Sequence, residues 1–319
     1  MYKTAETVTP LHPDKICDQV SDTILDHFLK DDPKARVAVE TMGKGNDIYI
    51  VGEVTSTVEL DIPEIVRNAG LGLEDFDIKV NLSQQSGFIA QGVDTGGAGD
   101  QGIMVGYATN ETRELMPKEV MLSRKLAKKI FDEEKETDGK TQVTIENDQI
   151  KTVVASFQNI SGTRLKEIVK ELYPEVETIH TNPAGDWQIG GLVADAGLTG
   201  RKIIVDAYGP RIPVGGGAFS GKDPTKVDRS GAYMARRIAV DYLKTKGANE
   251  VYVYLAYSIG VAEPVQAIAV IDGIEESIIG YNLTPKGIID FLDLQKPQYA
   301  QTARWGHFGN NFKWDGKER

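Results

Sequence analysis

Between Gly215 and Asp223 the chain reads Gly-Gly-Gly-Ala-Phe-Ser-Gly-Lys-Asp, and it continues at once through Pro224, Thr225, Lys226, Val227, Asp228 and Arg229. Three successive glycines permit positive φ and let backbone N–H groups come close to a ligand, while Lys222, Lys226 and Arg229 add charge that phosphate oxygens pair with. Residues 201 to 229 hold six basic residues (Arg201, Lys202, Arg211, Lys222, Lys226, Arg229) against three acids (Asp206, Asp223, Asp228). The 319-residue chain has the opposite sign, with 36 Lys plus Arg against 47 Asp plus Glu and a net charge of −11. The stretch therefore suits a polyphosphate, in a protein too acidic for an extended nucleic-acid surface.

Gly216, four further residues and Gly221-Lys222 satisfy most of a P-loop pattern, but Asp223 stands where a magnesium-binding Ser or Thr belongs, and Pro224 disfavours a helix starting there. A triphosphate held here needs Mg²⁺, which takes a few carboxylates besides phosphate oxygens and water. Asp14, Glu40, Asp100 and Asp228 are candidates, each equally suited to a solvated or capping acid. His12, directly before Pro13-Asp14-Lys15, can face a bound anion from a helix start or simply cap that helix. His27 and His180 read as structural or exposed, His307 as part of an aromatic tail, and no Ser-His-Asp arrangement can be assembled.

Behind these residues lie three runs of elements. A helix opens at Pro13, with Ile16, Val20, Ile24 and Phe28 four residues apart; strands follow over 36–41 and 47–57 across Gly43-Lys44-Gly45-Asn46, then a short helix at 61–68 and a strand at 77–82. Residues 83–102 are rich in Gly and Gln and read as a functional loop. The second run has a helix over 118–132, strands over 141–146 and 151–158, and a helix over 162–172 stopped by Tyr173-Pro174. The third has a strand over 202–207, the glycine loop, a helix from about 228 to 244 ended by Gly247, strands over 250–259 and 265–272, and a helix capped by Thr284-Pro285. The pattern predicts an α+β protein of three pseudo-repeated sheet-plus-helix domains, divided as 1–94, 95–189 and 190–319. The lone Cys17 excludes an internal disulfide and reads as a small core side chain. With no secretory pattern and no apolar span of membrane length, the expected setting is the cytoplasm.

Three segments, His12-Pro13-Asp14-Lys15, Gly97-Ala98-Gly99-Asp100-Gln101-Gly102 and Gly215 to Asp223, resemble the signatures of S-adenosylmethionine synthetases. Residues 106–112, 197–202 and 259–264 add to the resemblance, which spans essentially the whole chain. It implies a homodimer, able to pair into a tetramer, with active sites between subunits, using two Mg²⁺ per site and K⁺. The implied reaction joins L-methionine to ATP: the thioether sulfur attacks ribose C5′, tripolyphosphate leaves, and the enzyme cleaves it to pyrophosphate and phosphate. By motif, His12 stabilises the leaving chain, Asp14 binds Mg²⁺, Asp228 helps hold the metal and phosphates, and Glu40 binds K⁺. Lys140, Arg201, Lys202 and Lys222 contact phosphates, Asp138 and Ala218 belong to the ATP site, and Trp187 stands against adenine. Glu53, Gln91, Asp100, Asp195, Lys226 and Ile259 match methionine positions, with Asp195 also reaching ATP.

The chain departs from the family pattern in three places. Only Thr95 and Gly96 separate Asp94 from Gly97, where the family carries a longer charged lid. Thr9-Pro10-Leu11 replaces a Ser-Glu-Gly type segment, and Val214 and Asp186 stand where basic residues are common. Two other readings stay open at this level: an ATP-dependent phosphotransferase using the near-P-loop, and a non-catalytic regulatory subunit binding nucleotide or methionine.

Overall fold

The structure is a computed structural model and describes residues 1–85, 96–134 and 136–316. It opens with strand β1 (Tyr2–Val8), helix α1 (Pro13–Asp31), strands β2 (Arg36–Lys44) and β3 (Asp47–Thr55), helix α2 (Ile62–Arg67) and strand β4 (Asp77–Ser83). Strand β5 (Gly102–Thr109), helix α3 (Lys118–Glu133), strands β6 (Gly139–Glu146) and β7 (Gln149–Phe157), helix α4 (Gly162–Leu172) and strand β8 (Thr178–Thr181) follow. The remainder is α5 (Gly191–Ala194), β9 (Gly197–Leu198), α6 (Ile203–Asp206), α7 (Val227–Lys246), β10 (Glu250–Tyr257), β11 (Gln266–Ile271), β12 (Ile274–Ser277), α8 (Pro285–Leu292) and α9 (Thr302–Trp305). The ends are set by local chemistry. Pro13 and Pro285 occupy first-turn positions, Ser161 and Thr284 accept N–H bonds as caps, and Gly247 closes α7 at φ +64°.

Among the described residues twelve strands form three four-stranded sheets, ordered β1-β6-β7-β8, β12-β11-β10-β5 and β4-β3-β2-β9. Each sheet takes one strand from a distant part of the chain. The N-terminal β1 lies antiparallel on β6, β5 lies antiparallel on β10, and β9 adds Gly197 and Leu198 beside Gly43 and Met42 of β2. The sequence reading left β1, β5 and β9 outside any strand, because their polar or glycine-rich runs carry little two-residue alternation. It also placed a strand at 202–207, which is corrected here: Ile203–Asp206 is the short helix α6. Asp206 accepts from the buried Lys15 of α1 at 2.5 Å, and so tertiary contact overrides the β-branched composition of so short a run.

One apolar core joins α1, α7 and the sheets on β2-β3 and β5-β10; a second lies under the β6-β7 sheet, filled by Leu126, Ile130, Leu165 and Ile168 from α3 and α4. In α1 the predicted Ile16, Val20, Ile24 and Phe28 are buried, but so are Asp14, Lys15, Asp18 and Asp22, and the helix runs through the interior rather than along a face. Helix α7 reaches the β5 backbone because position 106 has no side chain: a Cβ there would stand 2.1 Å from the Ala235 carbonyl. Gly106→Ala is expected to destabilise the protein by about 1–3 kcal/mol or more, through displacement of α7 from the sheet. Urea unfolding checks this, and an unchanged midpoint would mean that the helix shifts without cost.

Candidate active site

The turn before α1 is tied down first. The Thr9 N–H donates to the Gly139 carbonyl at 2.9 Å, its hydroxyl accepts from the Gly139 N–H at 3.1 Å and donates to the Thr137 carbonyl at 2.8 Å, and Gln19 donates to the Pro10 carbonyl. The unusual Thr9-Pro10-Leu11 segment thus fastens the start of α1 to the edge of β6, beside Asp138 and Lys140. His12 then caps α1 through Nδ1, which accepts from the Asp14 N–H at 3.2 Å. With Nδ1 accepting, the neutral ring carries its proton on Nε2. Burial, with the positive charges of Lys202 and Lys140 nearby, pulls the His12 pKa down to about 4 despite Asp14 and Asp195, so the ring is neutral at physiological pH.

Asp14 is fully buried and binds three donors: the Leu198 N–H at 2.9 Å, Arg201 Nε at 2.8 Å and Lys202 Nζ at 2.5 Å. Burial disfavours its charge, yet the bonds from Lys202, Leu198 and Arg201 outweigh that and hold the carboxyl below its usual range. Four residues on, Asp18 accepts from the Gly200 N–H at 2.8 Å; four further, Asp22 accepts from the Gly221 N–H at 2.8 Å and from both terminal nitrogens of Arg229 at 2.7 and 2.8 Å. Asp26 completes the series by accepting from Gln298, Tyr299 and Ala300 N–H groups. One face of α1 therefore fixes the Arg201-Lys202 turn, the Lys222 loop and the C-terminal segment. The sequence reading followed the apolar spacing of this helix and missed the acidic one, although the Asp-x-x-x-Asp repeat was its visible signal.

The glycine loop departs from a simple phosphate cradle. A Cβ at Gly215 would stand 1.6 Å from the Ile103 carbonyl, one at Gly217 2.3 Å from the Asp228 carboxylate, and one at Gly221 1.9 Å from the Val39 carbonyl. These glycines serve close packing, whereas Gly216, at φ +107°, has open space on that side. Asp223 accepts from Val37 N–H at 2.7 Å, from Thr225 N–H and from Lys226, and so staples the loop to β2. Its buried carboxylate is a structural clamp. Lys222 bonds Asp228 Oδ2 at 2.6 Å and bridges Ala38 of β2.

Two groups of candidate residues converge directly. Around the start of α1 stand His12, Asp14, Arg201 and Lys202, with Lys140, Asp138 and Asp195 close enough to act on the His12 ring or on one another electrostatically. Arg201 and Lys202 line a cleft of about 620 Å³ together with Glu6, Gly200 and Val214. Ala218 lies against Gly200, where a Cβ would stand 2.7 Å from the Ala218 methyl, so the two phosphate-candidate turns touch. Asp138, raised above its usual pKa by burial, accepts from Gly191 N–H at 2.9 Å and borders a cavity of about 320 Å³; Trp187 packs close to Gly190 on the same turn. Asp186 accepts from Gly162 and Asn182 and serves that turn rather than the cavity.

Other candidates stand apart. The backbone at Ala98 is bonded to Gly260 and Val261, which sets Asp100 near Ile259, and Ile259 is half exposed. Glu40 lies on the outward face of β2 with Met42, opposite Tyr49 and Val51 of β3; Glu53 faces Ala38 across the same pair. Among the described residues no hydrogen bond or ion pair joins Glu40 or Glu53 to the His12 group. Gln91 and the short lid segment at Asp94-Thr95 lie outside the described residues. His307, buried among Phe219, Tyr233 and Phe308, accepts or donates at Nδ1 to Tyr233 at 2.7 Å and belongs to the core. Among the described residues no three His, Cys, Asp or Glu side chains converge on one point, and no helix is long and apolar enough to cross a membrane.

Comparison with known proteins matches every part of this framework. The profiles of the S-adenosylmethionine synthetase N-terminal, central and C-terminal domains match residues 1–89, 95–188 and 189–316. The chain is 42% identical over 369 residues to the S-adenosylmethionine synthase of Sorangium cellulosum, an alignment covering 99% of this chain and 87% of that protein. It is 43% identical over 363 residues to that of Mycoplasmopsis synoviae (99% and 95% covered) and 43% over 367 residues to that of Staphylococcus epidermidis (96% and 92%). Alignments longer than the 319-residue chain mean that these relatives carry residues with no counterpart here. With three domain profiles in order and identities above 40% over nearly its full length, the chain belongs to the S-adenosylmethionine synthetase family.

Proposed function

We propose that the turns fixed by Asp14, Asp18 and Asp22 form the tripolyphosphate site for the family's reaction, synthesis of S-adenosylmethionine from ATP and L-methionine. The observation that carries this is the meeting of Arg201, Lys202 and Ala218 with His12 at one end of α1, while the same helix fixes the Lys222 loop. A thioether sulfur is already a nucleophile, so no general base is needed; the barrier falls through alignment of sulfur with C5′ and stabilisation of charge on the leaving phosphates. Lys140, Arg201, Lys202 and Lys222 supply that charge. His12, neutral and protonated at Nε2, donates a hydrogen bond to the leaving chain without adding a charge that would need desolvation.

Asp14 and Asp228 would hold two Mg²⁺ and Glu40 would hold K⁺, and the ions would neutralise tripolyphosphate charge. Few converging carboxylates fit this, because Mg²⁺ in such sites takes most of its shell from phosphate and water. Trp187 would stack on adenine with Asp138 and Asp195 nearby. Lys226 would pair with the methionine carboxylate and Glu53 or Asp100 with its amine, with Gln91 and Ile259 alongside. The exposed apolar residues Met42, Tyr49 and Val51 beside Glu40 favour a homodimer in which the second copy covers this face and completes the site, and tetramers could form from such dimers. The lone Cys17, buried and unreactive, suits the cytoplasm.

Product analysis with ATP, L-methionine, Mg²⁺ and K⁺ tests the reading: S-adenosylmethionine, phosphate and pyrophosphate are expected. ADP alone would point to the phosphotransferase, and tight binding without turnover to a regulatory subunit. Lys222→Ala is expected to lower kcat by about 10²–10³ with little loss of melting temperature. For His12, Asn keeps the cap and Ala does not; both should lose rate, while only His12→Ala should also lose about 1 kcal/mol of stability. The ring itself should titrate near pH 4 by NMR, leaving no histidine ionisation from His12 in the rate profile between pH 5 and 8. A midpoint near 6.5 would contradict the neutral-donor role.

A further inference from the structure

A wide cleft of about 1170 Å³ lies away from the His12 group, between α3, the C-terminal end of α7 and the tail at 309–316. Six cations line it: Arg113, Lys118, Arg124, Lys125, Lys128 and Lys244. On α3, positions 118, 121, 125 and 128 fall on one helical face, so three of these lysines form a single stripe. Such a concentration is unexpected by chance placement in a chain with a net charge of −11.

The acids on the wall do not balance it. Glu111 is held by Lys3, Arg211 and the Lys118 N–H, Glu114 by Arg113, and Asp315 by Arg236 together with the Gly309, Asn310 and Phe312 N–H groups. Of the cations, Arg113 pairs with Glu114 and Lys118 with Asp148 at 3.2 Å, while among the described residues neither Lys125 nor Lys244 is in an ion pair. Arg124 is 2% exposed and donates through Nη1 to the Phe308 carbonyl at 2.7 Å, while its buried Nη2, without a partner among the described residues, lies inward against Gly306 rather than in the cleft. Among the described residues Lys128 reaches the Asn310 side chain, at 3.2 Å, and the Trp305 ring.

Charge and burial agree in direction. Burial, reinforced by the neighbouring Arg124, lowers the Lys128 pKa to about 8, and burial likewise lowers that of Arg124 to about 10. Arginine stays charged even so. A half-buried lysine without an ion-pair partner among the described residues, beside a buried arginine and the exposed Lys125 and Lys244, is costly to keep charged unless negative charge arrives from outside the chain. The demand is for several acceptor oxygens, which phosphates present and a single carboxylate does not.

We infer that this cleft is a second anion site, distinct from the proposed catalytic one, which binds a small phosphate-bearing molecule of the di- or triphosphate class. The volume slightly exceeds the range typical of small-molecule pockets, about 300–1,000 Å³, which leaves room for a nucleoside as well as its phosphates. Because α7 carries Asp228 at its first turn and Lys244 at its last, a ligand here touches the same rigid helix that supports the Lys222 loop.

The test is equilibrium dialysis of the full chain against labelled inorganic pyrophosphate. Three proteins are compared: wild type, Lys222→Ala, and the double variant Lys125→Gln with Lys128→Gln. Lys125 is exposed and Lys128 half-buried, and glutamine keeps most of each stem while removing the charge, so the double replacement spares folding where a change at buried Arg124 would not. Two classes of site are expected in wild type. Lys222→Ala should weaken one class and the double variant the other, by at least about tenfold, the loss expected for one charge-assisted hydrogen bond. The double variant should also keep its kcat at saturating substrates. Unlabelled ATP displacing the second class more strongly than pyrophosphate would assign it to a nucleotide, and equal displacement to a free polyphosphate. A single class in wild type, or a second class unaffected by the two lysine substitutions, overturns the inference, and neither result bears on the catalytic reading.

Discussion

Four carboxylates at four-residue intervals on α1 hold this structure together. Asp14, Asp18, Asp22 and Asp26 each accept N–H groups from a segment remote in sequence, and Asp14, Asp18 and Asp22 add guanidinium or ammonium partners. Buried charges are expensive in isolation, and breaking one such pair typically costs several kcal/mol because the survivor is left unpaired. That cost is also what makes the arrangement specific. A slip of either phosphate-candidate turn by one residue would strand a charge, so Arg201, Lys202 and Lys222 are placed by the same helix whose cap is His12.

The buried network continues beyond the site. Lys15 sits between Asp18 and Asp206, and with one ammonium for two carboxylates, burial lifts the Asp206 pKa to about 7. Arg229, locked on Asp22, stacks over Tyr299 at 4.3 Å and donates to Tyr233, whose hydroxyl meets His307. The C-terminal tail is thereby part of the support for the glycine loop rather than an appendage.

Much of this was legible in the sequence, and the rest was hidden for identifiable reasons. The glycine loop, the His12 start of α1 and the strongly periodic helices α3 and α4 announce themselves locally. The meaning of the loop glycines does not: Gly215, Gly217 and Gly221 are demanded by Ile103, Asp228 and Val39, partners no local pattern names. Asp223 looked like a failed metal ligand and is a clamp on Val37. Strands β1, β5 and β9 were missed because their strand character comes from the neighbour they pair with, and the Ile-Ile-Val of α6 was misread because a tie through Asp206 decides its shape.

The exchange of strands among the three sheets bears on how the chain reaches its native state. The β2-β3 sheet is not finished until residue 198 has been made, and the first strand of the chain must wait for β6, whose first residue is 139. Contacts of such long sequence separation raise the loop-closure entropy that must be overcome before burial repays it. Segments far apart in the sequence thus complete one another's sheets. Emerging from a ribosome, the N-terminal third exposes unpaired strand edges until its distant complements arrive.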